Sequence, residues 1–179
     1  MKKIYYSWSE VEGLTLEVIR QISRDGWQPD YVVGLTRGGL VPANLISQYL
    51  EVPMETLKVS LRDDTAPPEH NTWMAQDASG GYFDADNPKK FSRKNILIVD
   101  DINDTGATLN WIRQDWEAAV PNIESYWDQV WNENVRTAVL VHNEDSKYQR
   151  IDHYAVSVDK SKEDCWIVFP WEDWWHKKR

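Results

Sequence analysis

Ile96-Leu97-Ile98-Val99 is an unbroken apolar run that ends in two carboxylates, Asp100 and Asp101. A run so short and so apolar reads as a strand buried on both faces, as in a parallel sheet. The C-terminal end of such a strand is where open α/β sheets bind ligands. Beyond the acids the chain passes through Ile102-Asn103-Asp104-Thr105-Gly106-Ala107-Thr108, and the pattern predicts a helix over 105–119, ended by Pro121. Backbone N–H groups at Thr105 to Thr108, with two threonine hydroxyls, would form a phosphate cradle at the positive end of the helix dipole. Carboxylates beside a phosphate cradle suit a ligand that carries both ribose hydroxyls and a phosphate. The bland alternative is a tight acidic turn on a generic α/β fold. A phospho-receiver domain, whose acidic pair follows the first strand, is rejected because this pair lies past the midpoint of the 179 residues.

The flanking sequence alternates helices and strands. An amphipathic helix is predicted to open at Ser9, with Glu12 closing a capping box. Its apolar face is Val11, Leu14, Val18, Ile19 and Ile22, and Gly26 stops it. Strands are predicted over 31–35, 55–60, 135–141, 153–158 and 166–169. Pro42 suits the first turn of a helix continued by Ala43, Leu45, Ile46, Tyr49 and Leu50. Residues 61–94 lack periodicity and carry Asp63-Asp64, Pro67-Pro68 and Gly80-Gly81, which reads as a lid or a loose insertion. A further helix over 123–134 carries Trp127 and Trp131 in what looks like an added segment. The expectation is one α/β domain over 1–179, a mainly parallel sheet flanked by helices. A flexible lid over about 61–94 and a small C-terminal hood over about 159–179 complete it.

Composition narrows the partners. The net charge of -9 argues against nucleic acid, whose binding rests on Lys and Arg. Cys165 is the sole cysteine, so no intrachain disulfide forms and a reducing compartment is expected. No signal-peptide pattern or membrane span is visible, which points to a soluble, cytoplasmic protein. His70, His142, His153 and His176 lack zinc-ligand spacing. The 11 tryptophans are expected in core or interface positions.

Asp100-Asp101 followed by Asp104-Thr105-Gly106-Ala107-Thr108 resembles the phosphoribosyl pyrophosphate signature of type I phosphoribosyltransferases. The resemblance implies that Asp100 and Asp101 hold the ribose hydroxyls, directly or through magnesium. It implies Asp104 as proton acceptor near the base, and Thr105, Gly106, Ala107 and Thr108 as the grip on the 5′-phosphate. Val33 to Pro42 resembles the pyrophosphate loop of the purine branch, with Thr36, Arg37, Gly38 and Gly39 as its contacts. By the same resemblance, Thr36-Arg37 is expected to be a non-proline cis peptide. Asp164 to Glu172 is similar to the base-binding segment of that branch. There Trp166 would stack on a base, the backbone of Trp166 or Ile167 would read its edge, and Glu172, with Asp101, would help to hold magnesium.

Two positions depart from the pattern. Relatives place a base-contacting Lys after the strand equivalent to 135–141, where this chain has His142-Asn143, with Lys147 further on. His142 either donates a similar bond or is structural. The lid also lacks the family's Ser-Tyr pair, the nearest counterpart being Ser60-Leu61-Arg62. The implied substrates are phosphoribosyl pyrophosphate and a nucleobase, a 6-oxopurine by resemblance, handled by a homo-oligomer (dimer or tetramer). The aromatic and basic tail 171–179 would serve a subunit contact or pyrophosphate. A regulatory homologue and a transferase for a pyrimidine or specialised base are the competing readings.

Overall fold

A computed structural model describes residues 1–59, 70–80, 93–120 and 124–176. The described elements are β1 (Lys2–Tyr5), α1 (Trp8–Arg24), β2 (Tyr31–Thr36), α2 (Leu40–Leu50), β3 (Met54–Lys58), α3 (Thr72–Ser79) and β4 (Ile96–Asn103). They continue with α4 (Ala107–Ala119), α5 (Glu124–Glu133), β5 (Val135–Asn143), β6 (His153–Val158), β7 (Cys165–Val168) and a 3-10 turn at Trp174–His176. Five strands form a parallel sheet in the order β3-β2-β4-β5-β6.

The period of two along each strand sends neighbours to opposite faces. Val32, Leu97 and Val99 join Val11, Val18, Ile19 and Ile22 of α1 with Ala43 and Ile46 of α2. Val33, Ile96 and Ile98 instead meet Met74 and Ala78 of α3, Ile112 and Trp116 of α4, and Trp127 and Trp131 of α5. Helices cover both faces, so the central strands are apolar throughout, as their sequence predicts.

Several local expectations shift. The capping box of α1 sits at Ser7 and Glu10 instead of Ser9 and Glu12. The Ser7 hydroxyl accepts from Glu10 N at 3.2 Å, and Glu10 Oε2 accepts from Ser7 N at 2.7 Å. Gly26 does follow the helix, with φ of 62°. In α2 the buried stripe is Pro42, Ala43, Ile46 and Ser47, while Leu45 and Tyr49 are exposed. The residues expected in a lid include α3, whose Met74, Ala75 and Ala78 are fully buried. Tyr31 Oη donates to Asp77 at 3.1 Å and Asn134 Nδ2 to the Ala78 carbonyl at 2.8 Å, so α3 belongs to the core. Residues 61–69 and 81–92 of the expected lid, with Ser60-Leu61-Arg62, lie outside the described residues, as does Pro121.

The tryptophans of α5 are also core. Trp131 stacks on Trp116 with centroids 5.5 Å apart, and Trp127 stacks on Trp131 at 6.1 Å. β1 is an element the sequence reading did not expect. It pairs in parallel with β7, Lys2 opposite Cys165 and Tyr5 opposite Val168, as a separate two-stranded sheet. Among the described residues, no helix is long and apolar enough to cross a membrane.

Candidate active site

β2 and β4 are hydrogen-bonded neighbours running the same way, so the loops that leave their C-terminal ends lie side by side. They touch. A Cβ on Gly38 would fall 2.1 Å from Asp101 Oδ2, and one on Gly39 would fall 2.3 Å from the Val99 carbonyl oxygen. Only glycine permits that approach. The Thr36-Arg37 peptide is cis, as the resemblance implies. Arg37 and Gly38 face a cavity of about 910 Å³, whereas Thr36 and Gly39, expected as contacts with them, do not line it.

Asp100, Asp101 and Asp104 enter the same cavity from the end of β4. Asp100 Oδ1 accepts from Asp101 N at 2.9 Å. Burial, then the charge of Asp101, pushes Asp100 well above the usual carboxylate range. Burial also raises Asp101 to about 6, and the nearby Glu172 carboxylate adds to that. Glu172 is fixed by its own turn, its Oε1 accepting from Phe169 N at 3.1 Å. Asp100 and Asp101 are thus crowded, each raised first by burial and then by a neighbouring carboxylate. Their hard oxygens suit magnesium, which is commonly held by one or two carboxylates plus substrate phosphates. Among the described residues there is no preassembled cluster of three or more His, Cys, Asp or Glu ligands.

The turn after Asp104 leads into an open helix start at the cavity. α4 starts at Ala107, with Gly106 at its N-cap and no side-chain cap, which leaves the helix's first turn open toward the cavity. Thr105 Oγ1 accepts from Ala107 N at 3.3 Å, and the Thr105 carbonyl accepts from Lys147 N at 3.0 Å. Gly106 has φ of 84°, and a Cβ there would lie 2.4 Å from Tyr148 N. Gly106→Ala is therefore expected to cost about 1–3 kcal/mol of stability through backbone strain alone, with the clash adding to it. Urea unfolding measures this, and an unchanged midpoint would show that the turn relaxes freely.

Behind the turn stands a buried polar frame. Asn103 Nδ2 donates to the Tyr148 carbonyl at 2.8 Å, and Ser146 Oγ donates to Asn103 Oδ1 at 3.1 Å. His142 belongs to this frame, which corrects its assignment to the base. Its Nδ1 lies 3.1 Å from Asn103 Nδ2, and its ring packs on Tyr154 with centroids 5.2 Å apart. It is buried and absent from the cavity wall, and burial lowers its pKa. The alternation of β5 turns the next residue, Asn143, the other way. Asn143 Nδ2 donates to the Asp104 carbonyl at 3.0 Å.

Besides Arg37, Lys160 reaches the cavity, its Nζ 2.9 Å from Asp104 Oδ1. Sequence reasoning missed it. The signal was its place, two residues past β6, at the same C-terminal end of the parallel sheet as the acidic motif. Trp166 and Ile167 line the opposite wall from β7, and Trp175 stands at the cavity as well. That wall is braced by aromatic packing: Phe169 stacks on Trp171 at 4.8 Å and on Tyr6 at 5.7 Å, and Trp171 meets Trp8 at 6.0 Å.

A parallel sheet with an acidic pair, an open helix start and an aromatic wall about one cavity defines a class of α/β transferase domain. The chain belongs to the phosphoribosyl transferase domain family, whose model matches residues 3–173. It is 23% identical over 193 residues to xanthine phosphoribosyltransferase 1 of Saccharomyces cerevisiae, covering 96% of this chain and 90% of that protein. It is 27% identical over 176 residues to xanthine-guanine phosphoribosyltransferase of Cereibacter sphaeroides, covering 96% and 87%. In fold it is similar to the purine phosphoribosyltransferase of Pyrococcus horikoshii, with a TM-score of 0.64 and 23% identity over 96% of this chain and 95% of the other.

Proposed function

We propose that this protein transfers the phosphoribosyl group of phosphoribosyl pyrophosphate to a 6-oxopurine, giving a nucleoside 5′-monophosphate and pyrophosphate. The observation that carries the reading is the single cavity. It gathers Arg37, Asp100, Asp101, Asp104, the Thr105–Thr108 turn, Trp166 and Ile167 from three separate stretches of chain. The names of the xanthine and xanthine-guanine relatives support a purine as acceptor.

Each group has a part that its chemistry suits. The turn Thr105–Thr108 binds the 5′-phosphate through backbone N–H groups and hydroxyls. Asp100 and Asp101 accept hydrogen bonds from the ribose hydroxyls and orient the sugar. Arg37 and the loop amides beside it hold the pyrophosphate. As the bond to pyrophosphate breaks, positive charge develops on the ribose, and the carboxylates favour it. Asp104 accepts or holds the proton of the incoming base. Trp166 stacks on the base, and backbone at Trp166 or Ile167 reads its edge. Magnesium, when bound near Asp101 and Glu172, would neutralise charge on the pyrophosphate. The exposed indoles of Trp8, Trp174 and Trp175 suit a homo-oligomer, and the cytoplasm is the expected setting.

Pyrophosphate release from phosphoribosyl pyrophosphate and magnesium tests the reading. The panel is hypoxanthine, guanine, xanthine, adenine, uracil, orotate and nicotinate. Release with 6-oxopurines is the expected result. Silence with every base would overturn transfer, and release with orotate or uracil alone would overturn the purine assignment.

A further inference from the structure

The backbone N–H groups given to the 5′-phosphate have to be aimed, and a turn that never reaches the cavity aims them. Resting on the transferase reading, we propose that Asn143 and Ser146 are positioning residues for that phosphate, locking the direction of the peptide groups that follow Asp104. Residues 143–148 are absent from the cavity wall, whereas Asp104 to Thr108 all line it. From behind, this turn holds two successive carbonyls of the loop. Asn143 Nδ2 donates to the Asp104 carbonyl at 3.0 Å, and Lys147 N donates to the Thr105 carbonyl at 3.0 Å. Both peptides are trans, so each N–H points away from its own carbonyl. Holding the carbonyls back toward the turn therefore sends the N–H groups of Thr105 and Gly106 to the cavity side. A flip of either peptide would present an oxygen to the anion instead.

The turn is itself pinned by buried side chains. The Ser146 hydroxyl donates to Asn103 Oδ1 at 3.1 Å and accepts from Tyr148 N at 3.2 Å. Asn103 closes the circuit, its Nδ2 donating to the Tyr148 carbonyl at 2.8 Å. Asn143 secures the near end, its carbonyl accepting from Ser146 N at 2.9 Å and its Oδ1 from Asp145 N at 3.2 Å. Removing the Ser146 hydroxyl leaves Asn103 Oδ1 buried without that donor and loosens the turn that carries Lys147 N. The loop has no side chain of its own to hold it at Gly106, where a Cβ would lie 2.4 Å from Tyr148 N. Its register against the turn depends on these bonds.

Calorimetry on the parent, Ser146→Ala, Ser146→Thr and Asn143→Ala tests the assignment. The ligands are phosphoribosyl pyrophosphate, inosine 5′-monophosphate and, as a control without a 5′-phosphate, magnesium pyrophosphate. Ser146→Ala is expected to raise the Kd of donor and nucleotide about 10-fold, as the share of molecules with both peptides set falls to about a tenth. The Kd of magnesium pyrophosphate should stay near the parent value. Ser146→Thr keeps the hydroxyl and should recover most of the affinity. Asn143→Ala loses the tie at the Asp104 carbonyl and should produce the same split, whether or not Ser146→Ala folds. Parental affinity for donor and nucleotide in these two alanine variants would overturn this inference alone. Equal weakening of magnesium pyrophosphate would do the same, since it marks general loosening. A parent that binds neither donor nor nucleotide would overturn it together with the transferase reading.

Discussion

Replacing Asp104 with Asn is expected to slow phosphoribosyl transfer about 10²- to 10⁴-fold, the range a positioned acid or base contributes. The substitution is nearly isosteric. It keeps a carbonyl oxygen facing Lys160 Nζ, 2.9 Å away in the parent, and leaves the bond from Asn143 to the residue 104 backbone intact. What it removes is the negative charge and the capacity to take a proton. The loss should therefore fall on kcat, with the donor's Kd changed little, because Thr105 to Thr108 and Arg37 are untouched. Single-turnover kinetics with saturating donor and base measure it. A parental rate would remove Asp104 from the chemistry. A large loss of donor affinity would make it a donor ligand instead.

Neutralising both strand-end acids, Asp100→Asn with Asp101→Asn, is expected to move stability and binding in opposite directions. Donor affinity should fall about 100-fold or more, as for other buried charged contacts left without a partner. The protein free of metal and donor should nevertheless become more stable. Asp101 stands at about 6 when folded, against an ordinary value of 3.8. The folded state thus holds more protons than the unfolded state between these values, and stability falls as pH rises from about 4 to about 6. The roughly two-unit difference corresponds to at most about 3 kcal/mol at neutral pH, and asparagine relieves it. His153, lowered by burial to about 4, has the opposite sign over a similar window, its neutral form gaining stability as pH rises. The Asp101 contribution is therefore read as the difference between parent and Asp101→Asn melting curves across pH 4–7 in EDTA. Parallel curves would show that the acids are not crowded in the folded protein.

The sequence made the centre of the molecule legible because burial on both faces writes itself as apolar runs, seen in β2, β4 and β5. The loops at their ends were legible because glycine and acid types at fixed spacing serve one geometry. Elsewhere the signal was local and the answer was tertiary. Ser7 and Ser9 each stand three residues before a Glu, so either box fits, and the structure begins the helix at Trp8, which packs on Trp171. α3 hides among turn-forming residues because its buried stripe is small side chains, Ala75, Ala78 and Ser79, beside Met74. β1 is four residues long, charged at its start, and paired with a strand some 160 residues away in the chain. That Lys160 lines the cavity and His142 does not has a similar origin. The alternation of β5 and the reach of the β6–β7 connection decide which of them meets the cavity, and neither is written beside the residue concerned.

Two groups of tryptophan sit in contrasting surroundings. Trp116, Trp127 and Trp131 are stacked in the core, where their surroundings are fixed by packing. Trp166, Trp171 and Trp175 border the cavity, and Trp166 and Trp175 are partly open to solvent. A heterocycle entering between them changes the polarity around those indoles and offers them a quenching neighbour, while the core set emits as before. The chain is in effect labelled at its own mouth, and the order in which its ligands arrive can be followed by light without attaching a probe.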